Sequence, residues 1–175
     1  MKKFYVFALT VLLVSSVTAQ EEKYFTKKEL SRDSLLTIAR TIIKSAQSIT
    51  FITVDKDGKP QARIMSRIPP EDDMTIWLGT NPRSRKAAQI KNNPNAMVFY
   101  YDAKGASYVS IAGKARIVTD PKIKDRYWKE SWAKYYPDPE KDFVLIEVKP
   151  KRLELVSYKY DLFWGPEGRP QFIEF

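Results

Sequence analysis

Residues 79–94 read GTNPRSRKAAQIKNNP and contain the strongest local pattern in the chain. A β-type run at residues 74–80 leads into them, and Asn81 followed by Pro82 is typical of a helix start. Pro94 disfavours continuation of that helix. Three cations then fall in its first turn, where the helix dipole favours negative charge: Arg83, Arg85 and Lys86. The stretch predicts a strand, a turn and a helix whose first turn is either screened by solvent or binds an anion.

The segments on either side predict a mainly β chain. Thr26 with Glu29 forms a capping box and predicts a helix up to about Ala46. Asp57-Gly58 predicts a hairpin between two strands. Further strands are predicted at residues 48–54, 61–68, 95–102, 106–118, 143–148 and 152–158, and Asp120 with Pro121 predicts a helix to about residue 133. Long β-α-β alternation is absent, which favours an antiparallel barrel or sandwich with flanking helices.

Composition excludes several kinds of chemistry. The chain has no Cys and no His, so it lacks thiolate ligands, disulfides and the commonest general base and metal ligand. Hydrolysis by a catalytic triad and zinc chemistry are therefore not expected, and any redox chemistry would belong to a bound cofactor. The formal net charge of +9 is compatible with a phosphate-bearing ligand, an anionic surface or nucleic acid.

The N-terminus has the pattern of a secretory signal peptide. Lys2 and Lys3 precede a short apolar run, and Val17 and Ala19 place small residues before a cleavage site. We expect residues 1–19 to be removed, leaving no stable membrane anchor and a periplasmic or secreted protein; a retained anchor is the alternative. Residues 20–25 then form a leader, residues 26–160 the folded domain, and residues 161–175 an aromatic C-terminal tail.

Three short segments carry the groups that a phosphate monoester requires. Arg63 lies on one face of the second strand, the turn at residues 79–81 offers backbone amides, and residues 84–86 supply a hydroxyl and two cations. The alternative is that these basic side chains are merely solvated. The cationic segments predict a phosphate site if the fold brings them together.

The order of these segments resembles the pyridoxamine 5′-phosphate oxidase-like, FMN-binding split β-barrel proteins, in particular their general stress protein branch. The resemblance rests on four blocks in sequence: GKPQARIM, IWLGTNPRSRKAAQIKNNP, YVSIAGKARIVTDP and VLIEVKPKRLEL. It implies a six-stranded antiparallel Greek-key barrel with flanking helices. It also implies a homodimer that binds FMN in clefts between the two subunits.

The resemblance also implies which residues contact the cofactor. The residues that match the phosphate ligands of the family are Arg63, Ser84, Arg85 and Lys86. Those that match the lining of the flavin ring are Ile64, Met65 and Ser66 on the strand and Gly79, Thr80 and Asn81 in the turn. Tyr108 matches a position that reaches across from the second subunit, and Trp164 a C-terminal aromatic near the flavin. The basic C-terminal motif of the oxidase is absent, so the resemblance favours a general flavin-linked redox role over oxidation of pyridoxamine phosphate.

Three functional hypotheses follow. The first is a secreted FMN-dependent oxidoreductase of unknown substrate and catalytic residues. The second is a non-catalytic module that binds a flavin, haem or a phosphorylated metabolite; without His or Cys, haem would need Tyr or Met as axial ligand. The third is a basic protein that binds an anionic polymer or lipid surface, which would show steep salt dependence. We expect no nucleic-acid partner.

Overall fold

The computed structural model describes residues 29–165 and 168–175, so the predicted signal peptide and leader lie outside the described residues. The strands are β1 (Ile49–Val54), β2 (Pro60–Met65), β3 (Ile76–Thr80), β4 (Asn95–Asp102), β5 (Ser107–Val118), β6 (Val144–Ser157) and β7 (Gln171–Glu174). The helices are α1 (Arg32–Ser45), α2 (Arg85–Asn92), α3 (Pro121–Tyr127) and α4 (Pro139–Asp142), with a 3-10 turn at Glu130–Trp132. No helix in these ranges is both long and apolar enough to span a bilayer.

The strands form one antiparallel sheet in the order β2-β1-β4-β5-β6-β3, and β7 also pairs with β6. The expected mainly antiparallel architecture with flanking helices is confirmed, but the sheet has seven strands rather than six. The sequence did not predict β7, which adds residues of the C-terminal tail to the sheet. Its pairing continues along the same edge of β6 that β3 occupies.

The hairpin and β4 form as predicted. Gly58 adopts φ = 79°, a left-handed conformation that glycine favours, and its N–H donates to the carbonyl of Asp55 (3.1 Å). The Asp55 side chain accepts hydrogen bonds from the N–H groups of Asp57 and Lys59 (3.0 and 2.9 Å). The turn therefore fixes the register of β1 against β2.

Two helix starts differ from the prediction. Thr26 lies outside the described residues, and α1 begins at Arg32 with Ser31 as N-cap. The second helix begins at Arg85 with Ser84 as N-cap, not at Asn81. Residues 81–84 instead form a turn closed by the hydrogen bond from Ser84 N to the carbonyl of Asn81 (3.0 Å). A Ser N-cap satisfies a free helix N–H as well as Asn does, so local preference did not separate the two positions.

The third helix is also shorter than predicted, since α3 ends at Tyr127 rather than near residue 133. The two strands predicted at residues 143–148 and 152–158 are one continuous strand, β6. Its Pro150 lies opposite Gly113 at a β-bulge, where Lys151 is the additional residue. A proline without an N–H is tolerated at a bulge, so it does not end the strand.

Two hydrophobic clusters stabilise the sheet. The larger lies between α1 and the inner sheet face and includes Leu35, Ile42, Ile76 and Leu78. The smaller lies on the opposite side of β3, where Trp77, Trp132 and Phe143 are buried. Ile76 and Leu78 therefore face away from Trp77, as predicted. The smaller cluster joins β3 to residues 128–143, which we call the aromatic arm.

Candidate functional site

The candidate site lies where the two ends of the strand path meet. β2 and β3 occupy opposite ends of the path and do not pair with each other. Nevertheless, residues at the ends of both β2 and β3 line a single recess of about 200 Å³, and Lys86 of α2 lines it as well. The sequence prediction placed Arg63 near Thr80 through neighbouring strands; instead, the curvature of the sheet brings the unpaired end strands together. The cationic segments do converge.

Arg63 is held in a defined orientation on β2. Its Nη1 donates to the carbonyl of Phe51 (3.2 Å) and to Thr53 Oγ1 (2.7 Å), and its Nη2 donates to Gln89 Oε1 (3.1 Å). Thr53 is fully buried and donates its hydroxyl proton to Gln89 Oε1 (2.6 Å). These contacts use three N–H bonds of a guanidinium that has five. Its two remaining N–H groups make no hydrogen bond within the described residues, although Arg63 itself does not line the recess.

Arg63, Arg85 and Lys86 form a group of like charges. Partial burial, and then the charge of Arg85, lowers the pKa of the Arg63 guanidinium below its ordinary value. Burial, followed by the charges of Arg63 and Arg85, likewise lowers the pKa of Lys86. Within residues 29–165 and 168–175, none of the three forms an ion pair with a carboxylate. The group therefore lacks a counter-charge among the described residues.

Arg83, the other cation of the opening stretch, has a different role. Its guanidinium forms an ion pair with Asp142 at the end of the aromatic arm (2.7 Å). The two segments are 59 positions apart in the chain, and this contact ties the turn before α2 to the arm. Arg83 is consequently neutralised, whereas Arg85 and Lys86 are not.

Two hydroxyls lie beside the cations. Thr80 is buried, and its Oγ1 accepts a hydrogen bond from Lys86 Nζ (3.0 Å) and lies 3.2 Å from Ser84 Oγ. Ser84 Oγ also accepts from the N–H of Ala87 as the N-cap of α2 (3.4 Å). This arrangement places a hydroxyl pair and the free amides of a helix N-terminus next to three cations, which is the chemistry of an anion site.

Nine residues line the recess: six were predicted as site residues from the sequence, and three were not. The predicted ones are Ile64, Met65, Ser66, Gly79, Thr80 and Lys86; the missed ones are Trp132, Tyr135 and Tyr136. Trp132 falls within the helix predicted to about residue 133, and Tyr135 and Tyr136 follow directly after it; the density of aromatic residues there was a signal. Gln89 was also missed, but its position four residues after Arg85 places it on the same helix face.

The structure gives Gly79 a packing role as well. A Cβ atom there would lie 2.7 Å from ring atoms of both Trp132 and Phe143. The two rings therefore pack directly on the β3 backbone. Asn81 does not line the recess; its Oδ1 accepts from the N–H of Arg83 (2.8 Å) and shapes the turn.

The structure does not bring Tyr108 and Trp164 to this recess. Tyr108 stacks on Phe99 with ring centroids 5.2 Å apart, and β1 and β4 separate its strand from β2. Three strand spacings amount to about 14 Å. Trp164 follows β6, is 44% exposed and does not line the recess. Within the single chain, neither residue contributes to the cationic site.

Comparison with known proteins agrees with this architecture. The family model described as pyridoxamine 5′-phosphate oxidase matches residues 37–157, more than half of the chain. The chain belongs to this family. Its members include general stress protein 26 of Bacillus subtilis, which is 36% identical over 114 residues, or 62% of this chain and 78% of that protein. The resemblance to the general stress protein branch is thus confirmed.

The match to the named oxidases is more limited. The pyridoxine/pyridoxamine 5′-phosphate oxidase of Burkholderia thailandensis is 29% identical over 114 residues, and the match covers 61% of this chain. It spans only 52% of the oxidase, so the chain corresponds to about half of that relative's length.

Solved structures of the family share the fold. General stress protein 26 from Bacillus anthracis superimposes with a TM-score of 0.64 and 26% identity, covering 81% of this chain and 98% of that one. A family-related FMN binding protein from Nostoc punctiforme has a TM-score of 0.62 at 16% identity, covering 85% and 99%. A heme binding protein from Mycobacterium smegmatis has a TM-score of 0.61 at 20% identity, covering 83% and 60%. The split-barrel fold is therefore shown, and it occurs in proteins named for two different cofactors.

Proposed function

We propose that this protein binds FMN at the recess and serves as a flavin-dependent oxidoreductase. The observation that carries the proposal is the group formed by Arg63, Arg85 and Lys86, which has no carboxylate partner in the described residues. Holding like charges together costs free energy unless an anion neutralises them. A phosphate monoester is such an anion, with a charge of about −2 at neutral pH.

The donor set fits a phosphate group better than a carboxylate. Arg63 and Arg85 supply planar guanidinium groups that bind phosphate oxygens in pairs, and Ser84 adds a hydroxyl at the start of α2. Backbone amides at a helix N-terminus favour the same ligand. In the family, a flavin supplies electron transfer when it is bound. The residues of this chain would anchor its phosphate and exclude water from its ring.

Haem is the competing cofactor, because a heme binding protein shares the fold. The chain contains no His and no Cys, and the axial ligands available in the recess are Met65, Tyr135 and Tyr136. A cationic phosphate site favours FMN over haem, since haem carries carboxylates rather than a phosphate. An absorption spectrum of the purified protein distinguishes flavin bands from a Soret band.

We also propose that the site is completed by a second copy of the chain. Drug-sized ligands occupy pockets of roughly 300–1,000 Å³, so a recess of about 200 Å³ accepts only part of a flavin nucleotide. A groove of about 980 Å³ adjoins it, and Ile64 lines both. Ile64 is 67% exposed although it is a large apolar residue. A partner subunit on this face would bury Ile64 and bring Tyr108 toward the cofactor of its neighbour.

We propose, from the sequence pattern of residues 1–19 alone, that the protein is exported. An exported chain would fold outside the cytoplasm and acquire FMN there. Cell fractionation and N-terminal sequencing of the mature protein test this location, with cleavage after Ala19 as the expected result.

The cofactor proposal is tested by comparing FMN with riboflavin, which lacks the phosphate. We expect Arg85→Ala to weaken FMN binding about tenfold to a hundredfold, the typical effect of losing a charged hydrogen bond. Riboflavin affinity should change less than threefold. Titration of the apo-protein followed by flavin fluorescence measures both.

Arg83→Ala is the matched control, because Arg83 lies in the same turn but is paired with Asp142. It should leave FMN affinity nearly unchanged. Equal losses of FMN and riboflavin affinity in Arg85→Ala would contradict the phosphate assignment, and so would an equal effect of the two arginine variants.

A further inference from the structure

Gln89 joins helix α2 to strands β1 and β2 through one oxygen atom. Its Oε1 accepts hydrogen bonds from Thr53 Oγ1 of β1 (2.6 Å) and from Arg63 Nη2 of β2 (3.1 Å). Thr53 Oγ1 in turn accepts from Arg63 Nη1 (2.7 Å). Because a guanidinium has only donors, the carboxamide oxygen must face it, and the Thr53 hydroxyl must direct its own proton to that oxygen. The three side chains therefore form a closed triangle of hydrogen bonds.

The triangle fixes the position of the Arg63 side chain. Thr53 is fully buried, and Arg63 Nη1 also donates to the carbonyl of Phe51 (3.2 Å). The guanidinium carbon lies 5.8 Å from the centroid of the Phe51 ring, which restricts it further. A long side chain loses conformational entropy when a ligand immobilises it, unless the protein already holds it in place. Arg63 is held in place before any ligand binds.

The hydrogen-bond acceptors that hold Arg63 are all neutral. They are a carbonyl, a hydroxyl and a carboxamide, and the causes of the lowered Arg63 pKa are burial and the charge of Arg85, with no carboxylate among them. A glutamate at position 89 would accept the same two hydrogen bonds and would make them stronger, because they would be charge-assisted at both ends. Gln89 forgoes that stabilisation and leaves the positive charge of Arg63 uncompensated.

We propose that Gln89 is the residue that sets the charge of the anion site: it positions Arg63 through a neutral acceptor, so that the guanidinium keeps its charge for a dianionic phosphate. The inference rests on the proposed flavin site and assigns selectivity to a residue that does not line the recess. With a glutamate at position 89, one positive charge of the group formed by Arg63, Arg85 and Lys86 would be cancelled before any ligand bound.

The test compares Gln89→Glu with Gln89→Met in three measurements: FMN affinity, riboflavin affinity and melting temperature of the apo-protein. Gln89→Glu keeps both acceptor bonds, so its melting temperature should equal or exceed that of the wild-type protein. Its FMN affinity should nevertheless fall at least about tenfold, because Arg63 is already neutralised.

Gln89→Met keeps the length of the side chain but removes the acceptor of a buried hydroxyl and of Arg63. Its melting temperature should fall by about 3 °C or more. Its FMN affinity should fall only about threefold, since Arg63 loses its fixed orientation but not its charge. Riboflavin affinity should change less than about twofold in both variants, because riboflavin has no phosphate. The more stable variant should thus bind FMN more weakly, which a purely structural role of Gln89 does not predict.

Two variants serve as controls. Lys91→Gln lowers the net charge by the same amount as Gln89→Glu, from an exposed position on the same helix. Exposed charges contribute little, so it should leave FMN affinity within about twofold. Gln61→Met removes a glutamine from the strand that carries Arg63, but the amide of Gln61 donates to Asp55 Oδ2 in the hairpin (3.1 Å). It should likewise leave FMN affinity unchanged.

Three results would overturn the inference and leave the flavin site in place. They are wild-type FMN affinity in Gln89→Glu, equal losses of FMN and riboflavin affinity in that variant, and an equal effect of Lys91→Gln. Failure of the wild-type protein to bind FMN would overturn the proposed function and this inference together.

Discussion

Individual cations in the stretch at residues 83–86 differ in role although they are adjacent in sequence. Arg83 is paired with Asp142, whereas Arg85 and Lys86 lie near enough to Arg63 for their charges to interact and have no carboxylate partner in the described chain. The helix dipole alone would disfavour all three equally. Their tertiary surroundings decide which of them remain available for an anion.

Lys86 should make FMN binding depend on pH. Its pKa is lowered in the free protein by burial and by two neighbouring arginines, and a bound phosphate would raise it again. The part of the FMN affinity that depends on the charge of Lys86 is fully present below the lowered pKa of the free protein. It is lost as the pH rises from that value to the higher pKa of Lys86 in the complex. We expect FMN affinity to fall in alkaline solution before pH reaches the ordinary lysine value of about 10.4.

Lys86→Arg is the variant that checks this assignment, because arginine remains charged over the same range. Its FMN affinity should stay constant to a higher pH than that of the wild-type protein. Identical pH profiles of the two proteins, measured by flavin fluorescence, would assign the effect to another group.

The pairing of β5 with β6 depends on a close approach between their backbones at the bulge. At the bulge, a Cβ atom on Gly113 would lie 2.1 Å from the carbonyl oxygen of Lys149. Only a residue without a side chain allows β5 and β6 to pair through this point, and the pairing continues on both sides of it. The bulge is what allows β6 to accept Pro150 and still bind both β3 and β7.

Gly113→Ala should therefore lower the free energy of unfolding by about 3 kcal/mol, the upper range for overpacked sites. Denaturant titration followed by tryptophan fluorescence measures the change. Ser110→Ala, on the same strand, is the control and should change it by less than about 0.5 kcal/mol. A similar small effect for both variants would mean that the strands separate at the bulge without cost.

The whole molecule presents its candidate site beside an open face. The recess is small, and the adjoining groove is large and shares Ile64 with it. We propose that a second copy of the chain covers Ile64, which is exposed where the two cavities meet. Under this proposal, dimerisation and cofactor binding would be linked.

Ile64→Asp should convert the proposed dimer to a monomer, because it places a charge on the apolar face. Sedimentation equilibrium measures the mass, and we expect FMN affinity to fall by at least tenfold in the same variant. Phe175→Asp is the control at an exposed apolar residue outside the groove, and it should affect neither property. A wild-type protein that is monomeric with FMN bound would refute the dimer proposal.

Local patterns predicted the parts of the fold that short-range chemistry controls. The Asp-Gly hairpin, the bounds of β4 and the Asp120 cap of α3 all agree with the structure. The start of α2 was misplaced because Asn81 and Ser84 are equally good caps by local preference. The continuity of β6 and the existence of β7 depend instead on pairing with segments many residues away. Propensity alone does not contain that information.

The sequence by itself determined the mainly antiparallel sheet, the absence of His and Cys chemistry, and the family to which the chain belongs. These follow from periodicity, composition and ordered motifs, which are local properties of the chain. Only the tertiary structure decided that Arg63 lies within charge-interaction range of Arg85 and Lys86, that Arg83 is paired elsewhere, and that Trp132, Tyr135 and Tyr136 line the recess. The reason is physical: a site is a set of distances between residues remote in sequence, and those distances exist only once folding has brought the two end strands of the sheet close together.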